Sequence, residues 1–274
     1  MDLLLYNGKI YTVDSTFSVS GAMVVHQGRV VETGSLADLK AKYHFTEEKD
    51  LEGAFVYPGF IDAHCHFFGY GLGAETRADL TGTTSMREVV ERLMIWHKEH
   101  PTPWIEGRGW DQNDWTVKEF PDRALLDSLF PDIPVMLTRV DGHAMLVNGK
   151  ALRMAGIDAT TQVSGGSILV REGSPTGILI DNAIELVRDI IPEADTALMY
   201  AALLRAQEDC HAVGLTMVAD AGLRDKEIDA VRHLQGNGRL SMRIYAMLNP
   251  DPQTLQPWLA SGPSFDEQLI VRSI

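Results

Sequence analysis

Pro58-Gly-Phe-Ile-Asp-Ala-His64-Cys-His66 is the stretch on which the reading of this 274-residue chain turns. In an extended strand alternate side chains share a face, and residues two apart stand roughly 6–7 Å from each other. His64 and His66 can therefore converge on one ion at about 2 Å from each ring nitrogen, while Cys65 points away. Phe55, Val56, Phe60 and Ile61 make the approach short and apolar, which predicts a buried parallel strand. Histidines at the carboxyl end of such a strand stand where α/β barrels keep their chemistry. Asp62 falls on the histidine face one step deeper, where a carboxylate accepts a ring N–H and fixes the ligand tautomer. The plain alternative is a buried strand that ends in two hydrogen-bonded histidines. The Pro58-Gly59 start and the placement of Asp62 argue for the metal.

Composition narrows the class. At 45% apolar, 23% charged and 8% aromatic the chain is globular, and long enough for a sizeable core. A net charge of −14 and a pI near 5.0 disfavour nucleic acid and anionic membrane as partners. Asp2 and a short apolar run at Leu3–Tyr6 do not make a signal peptide, and no stretch is apolar enough to span a bilayer. Cys65 and Cys210 do not make a disulfide framework, so a reduced, cytoplasmic protein is expected.

Residues 1–57 read as β-rich. Leu3–Tyr6, Asn7-Gly8 and Lys9–Val13 predict a hairpin, and Ala22–His26, Gln27-Gly28 and Arg29–Thr33 repeat the device. A helix at Leu36–Lys42 and strands near Lys49–Leu51 and Ala54–Tyr57 follow. The region of about 67–193 is less regular. Ser85 and Glu88 open a helix stopped before Pro101. A second helix is read at Arg123–Phe130, a strand at Pro134–Val140, a helix capped by Asn148, and a hairpin over Ser167–Ile180. From about 195 a helix carrying Met199, Ala202, Leu203, Ala206, Cys210 and Val213 is closed by Gly214. Strands at 215–220, 241–248 and 268–273 then alternate with helices at 225–235 and near 252–260, the pattern of a parallel sheet.

The ordered motifs carry a resemblance. Val56-x-Pro-Gly-Phe-Ile-Asp-x-His64-x-His66 resembles the first barrel strand of the metal-dependent amidohydrolase superfamily. Five further segments are similar to its N-substituted formamide deformylase-like branch, amidohydrolase family 3. They are Gly107-Arg-Gly-Trp-Asp111; Arg139-Val-Asp-Gly-His143 with Asn148 and Ala151-Leu152; Gly165–Ile168; Pro175–Ile178 with Asp181; and Gly214–Gly222. The resemblance implies a (β/α)8 TIM-type barrel over residues 58–274, incomplete in this chain, with an inserted α+β segment at about 67–193. Residues 1–57 would be part of a small β-sandwich. Whether strand 134–140 belongs to the barrel or to the insertion stays open; with it, five of the eight strands that closure needs are present.

Two imidazoles are too few for a catalytic metal site. The resemblance implies a divalent metal, Zn²⁺ by its donors, as one ion or two. It places a lysine that can be carbamylated just after Ile274, with further ligands and the catalytic acid/base also beyond residue 274. The chain is thus expected to be the amino-terminal portion of a protein nearer twice its length, and an intact mass near 30.3 kDa on active protein would refute this.

The expected function is metal-dependent hydrolysis, by activated water, of a non-peptide C–N bond in a small amide, N-acyl or N-formyl compound. Hydrolysis of a cyclic amide or ester is the enzymatic rival. A non-catalytic barrel half that serves as a binding module is the other. Trp110 and Asp111 could line the substrate pocket, or with Trp115 pack the insertion. His143 is a pocket candidate or an ordinary loop histidine, and Asp220 a substrate or ligand-supporting residue or a loop cap. Asp181 is a weaker pocket candidate. His97, His100, His211 and His233 lack ligand spacing, and neither a phosphate loop nor a serine-nucleophile elbow occurs. The partner expected is a small-molecule substrate, and a homodimer is left open.

Overall fold

Glycine and proline turns cut the chain into short strands and helices, and a computed structural model describes all 274 residues. The first 65 residues give β1 (Leu3–Tyr11), β2 (Val19–His26), β3 (Arg29–Gly34), α1 (Leu36–Lys42), β4 (Glu47–Asp50), β5 (Phe55–Val56) and β6 (Phe60–Cys65). The middle follows with α2 (Phe67–Thr76), β7 (Arg77–Asp79), α3 (Met86–Glu99), β8 (Ile105–Trp110), α4 (Ala124–Leu129), β9 (Val135–Arg139), β10 (Ala144–Val147) and α5 (Gly149–Met154). Then come β11 (Gly166–Arg171), β12 (Ser174–Asp181), α6 (Glu185–Arg188) and α7 (Thr196–Ala212). The last part holds β13 (Leu215–Leu223), α8 (Asp225–Gly236), β14 (Arg243–Leu248), α9 (Pro252–Ser261), β15 (Ser264–Phe265) and β16 (Leu269–Ser273). The fold is mixed α/β, in two units: Met1–Cys65 with Gln207–Arg224 and Ser241–Ile274, and His66–Ala206 with Asp225–Leu240.

The first unit holds two sheets. One runs β3-β2-β1-β4 with β5 beside β1, around a small core of Leu4, Ala22, Val24 and Leu39. Asn7-Gly8 does not turn the chain here as expected. The residues lie inside the single strand β1, where the pairing with β2 slips between Tyr6 and Ile10. Asn7 takes φ +55, so the left-handed residue that could have closed a hairpin makes a bulge instead. The second turn signal, Gln27-Gly28, does close a hairpin, with both residues at positive φ between β2 and β3.

The other sheet of this unit has the order β15-β16-β14-β13-β6, and β6, β13, β14 and β16 run parallel. Gly59 lets β6 approach β13, since a Cβ there would sit 2.3 Å from the Thr216 methyl. The expectation of a buried strand fails at its start: Phe60 is 54% and Ile61 60% exposed. The reason is position, because β6 is an edge strand bonded to β13 alone.

The second unit is built on one six-stranded sheet, β11-β12-β10-β9-β8-β7. β7, β8 and β9 are parallel, and the remainder is antiparallel. Strand 134–140, left open by sequence, is β9 and pairs in this sheet, not beside β6. Two apolar clusters flank the sheet. One gathers Leu80, Val89, Leu93, Trp110, Trp115 and Phe130, and the other Met145, Leu152, Leu179 and Val187. The helix starts follow local chemistry. Ser85 Oγ accepts the Glu88 N–H at 3.3 Å, while the Glu88 carboxylate reaches back to the Thr84 N–H at 2.8 Å.

Candidate functional site

Parallel pairing with β13 positions the histidine strand. The Phe60 N–H donates to the Gly214 carbonyl at 2.9 Å, and the register sets Asp62 against Val218 and Cys65 against Asp220. His64 is exposed, one residue before the end of β6. His66 is the N-cap of α2, with φ −124 and ψ 67. The Asp62 carboxylate accepts the backbone N–H of His64 at 3.1 Å, which fixes the strand end at that residue. Asp62 also bears on Cys210, whose thiol burial pushes up, with the Asp209 and Asp62 charges adding to the effect. Asp220 is fully buried on β13.

Could these donors hold a metal? Two imidazoles at the end of one strand fit two positions of a divalent ion. Nowhere in the chain do three His, Cys, Asp or Glu side chains converge so as to hold one. The pair is part of a coordination sphere at most.

A second group of expected residues lies in the other unit, along one edge of its sheet. The carboxyl ends of β8 and β9 stop at Trp110 and Arg139, and the antiparallel β10 begins beside them. Trp110 is buried, donates its Nε1–H to the Leu137 carbonyl at 2.9 Å and packs 5.9 Å from Trp115. Asp111 caps the next turn, its Oδ1 accepting the Asn113 N–H at 2.9 Å.

His143 projects with its side chain 74% exposed, and its Nδ1 stands 2.9 Å from Asp181 Oδ1. The Asp181 N–H donates to the His143 carbonyl at 3.0 Å, and Asp141 Oδ1 accepts the His143 N–H at 3.0 Å. This double hold fixes the backbone of His143, and Nδ1 is the ring nitrogen that meets Asp181. Asp181 takes φ +50, a left-handed value that a residue other than glycine adopts at a cost.

Arg139 donates from its guanidinium to both oxygens of Asp141, with Nε 3.0 Å from Oδ1. That fork, helped by the His143 N–H, holds the Asp141 carboxyl down at about 2. A depressed carboxyl stabilises the fold above its ordinary value, and the contribution fades as pH falls from about 3.8 toward about 2. Arg139→Gln should therefore move the Asp141 midpoint up toward 3.8 in a carboxyl-carbon NMR titration, and an unmoved midpoint would count against the fork.

Sequence reading brought Asp111 and His143 forward and quoted Asp141 in the motif before His143 without giving it a role. The signal was present: an aspartate two residues before His143, with Gly142 between, is an Asx-turn pattern. The pairing of His143 with Asp181 had no local signal, since 38 residues separate them.

The model of the amidohydrolase family matches residues 47–270. YtcJ of Bacillus subtilis (strain 168) is 35% identical over 221 residues, covering 79% of this chain and 42% of that protein. N-substituted formamide deformylase of Arthrobacter pascens is 28% identical over 261 residues, covering 91% of this chain and 48% of that enzyme. The crystal structure of an uncharacterized metal-dependent hydrolase from Pyrococcus horikoshii OT3 superposes with a TM-score of 0.75 at 27% identity. It covers 99% of this chain and 53% of its own. The chain thus spans about half the length of these relatives. No helix is long and apolar enough to cross a membrane.

Proposed function

This chain belongs to the amidohydrolase family, and from that premise we propose that it carries part of the active site of a metal-dependent hydrolase. The bond cleaved is a non-peptide C–N bond in a small amide, N-acyl or N-formyl compound. Similarity to a formamide deformylase and to a metal-dependent hydrolase supports this reading. The observation that carries it is the His64-x-His66 pair at the carboxyl end of the parallel strand β6.

His64 and His66 hold the ion in this proposal, zinc by the chemistry of its donors, and further ligands complete the sphere. A bound zinc ion supplies Lewis acidity, polarising a carbonyl and making water more acidic. Asp62 keeps the strand end, and so His64, in place. Asp220 supports the site from β13. Within the second unit, taken by itself, Asp111 and His143 are read as substrate-binding residues, with Asp181 holding the His143 ring and Trp110 buried beneath Asp111. The parallel strands β6, β13, β14 and β16 are read as part of a (β/α)8 barrel, and residues 1–57 as part of a sandwich.

Zinc-loaded protein should release amine from at least one member of a panel of N-formyl and N-acyl amines, and a chelator should abolish it. Absence of bound metal together with no amine from any compound would end the reading.

A further inference from the structure

A bulge near the end of β8 leaves one arginine of this sheet unpaired, close to the carboxyl ends of its parallel strands. The pairing of β8 with β9 slips between Arg108 and Trp110, at Gly109, which takes φ +108. A Cβ on Gly109 would stand 2.5 Å from Thr81 Oγ1, so this path of the chain depends on glycine. A bulge re-aims the side chains around it. Trp110 goes into the core, and Arg108 stays exposed. Arg77 on β7 meets Glu106 at 3.2 Å and Arg139 on β9 grips Asp141, whereas no carboxylate meets Arg108. The other acids of this edge are already engaged. Asp79 accepts the Thr81 N–H at 2.9 Å, Asp111 accepts the Asn113 N–H at 2.9 Å, and Asp181 meets His143 at 2.9 Å.

The register puts Arg108 and His143 on one face of the sheet. Arg108 lies opposite Thr138, Thr138 opposite Met145, and Met145 opposite Leu179, and residues so paired point the same way. His143 precedes Met145 by two residues and Asp181 follows Leu179 by two, so both continue that face toward the carboxyl edge. Arg108 reaches toward them. Its Nη2 lies 3.9 Å from where a Cβ on Gly142 would stand, and His143 is the next residue. Both side chains are open to solvent, that of His143 by 74%. A carboxylate can only accept, so His143 Nδ1 carries the proton toward Asp181, and Nε2 of the neutral ring is an acceptor. The face thus presents a forked cation and, beside the same turn, a hydrogen-bond acceptor.

We propose that this face binds an amide whose N–H stands beside a carboxylate, an N-acyl amino acid. Arg108 forks onto the carboxylate, and His143 Nε2 accepts the amide N–H. One carbon separates the two groups in such a compound, so side chains that flank one turn can hold both. An arginine fork grips a carboxylate through two parallel charged bonds, which a neutral amide group in its place does not allow. The inference deepens the proposed hydrolase reading, from small amides at large to anionic ones, and rests on it for the amide. It uses residues of the second unit alone, and its test involves neither metal nor turnover.

Titration of the full, metal-free chain with N-acetylglycine should shift the His143 ring signal saturably in NMR, with that signal assigned from His143→Gln. N-acetylglycinamide keeps the N–H and lacks the charge, and N-acetylsarcosine keeps the charge and lacks the N–H. Each should bind about tenfold more weakly. Arg108→Gln should bring N-acetylglycine down to the level of N-acetylglycinamide and leave Tm within about 2 °C, since the side chain is exposed. Arg108→Lys, which keeps the charge without the fork, should fall between the two. A His143 signal that N-acetylglycine does not move, equal binding of the three compounds, or unchanged binding by Arg108→Gln would each overturn the proposal. Binding as expected with no amine released by the zinc-loaded protein would leave this site standing and count against the proposed function alone.

Discussion

Replacement of His64 or His66 by alanine should lower kcat/KM by about 10³-fold or more, equivalent to roughly 4 kcal/mol of transition-state stabilisation. Bound metal, measured by mass spectrometry of the dialysed protein, should fall with it. Both side chains are exposed, so neither substitution removes core packing. Stability of the metal-free protein should consequently stay within about 0.5 kcal/mol of the parent. This split separates a ligand role from a structural one. A histidine that only ended the strand would leave metal content unchanged, and that outcome would remove the basis of the proposed chemistry.

The largest effect on stability is expected at Asn148. It is completely buried, and its side chain makes four hydrogen bonds. Oδ1 accepts the Val135 N–H at 3.1 Å and the Ala151 N–H at 3.0 Å, while Nδ2 donates to the Phe130 and Ile133 carbonyls at 2.8 Å each. One amide thus ties the end of α4, the start of β9 and the first turn of α5. Asn148→Ala strands all four backbone groups away from water and opens a small cavity. With about 1–3 kcal/mol for a stranded buried group and partial relaxation, a loss of about 3–5 kcal/mol is expected. In this chain that lowers Tm by roughly 10 °C. A thermal melt within about 2 °C of the parent would show that the network is not a structural centre.

Asn148 also shows how far local pattern reaches. Its role as a helix cap was legible, because asparagine before a short helical run accepts an N–H two or three residues on. That it also binds Phe130, Ile133 and Val135 was not, since those groups come from residues 13–18 positions earlier. The same division runs through the turn signals. Gln27-Gly28 and Glu172-Gly173 close hairpins as expected, while Asn7-Gly8 uses the same left-handed geometry for a bulge inside one strand. A positive φ fixes the local path of the chain. It does not decide whether the next residues reverse direction or continue against β2.

What the residues alone determined was short-range: a strand that runs as far as His64 and Cys65, with His66 instead opening the next helix, the caps at Ser85 and Asn148, and the β/α rhythm from residue 195 onward. Those follow from sterics and hydrogen bonds within a few residues, which any context preserves. Only tertiary structure decided that β9 pairs with β8 and β10, that β6 lies at an edge with Phe60 and Ile61 exposed, and that His143 meets Asp181. Strand partners depend on which distant segments bury which faces together, and that balance is written nowhere in a single stretch of chain.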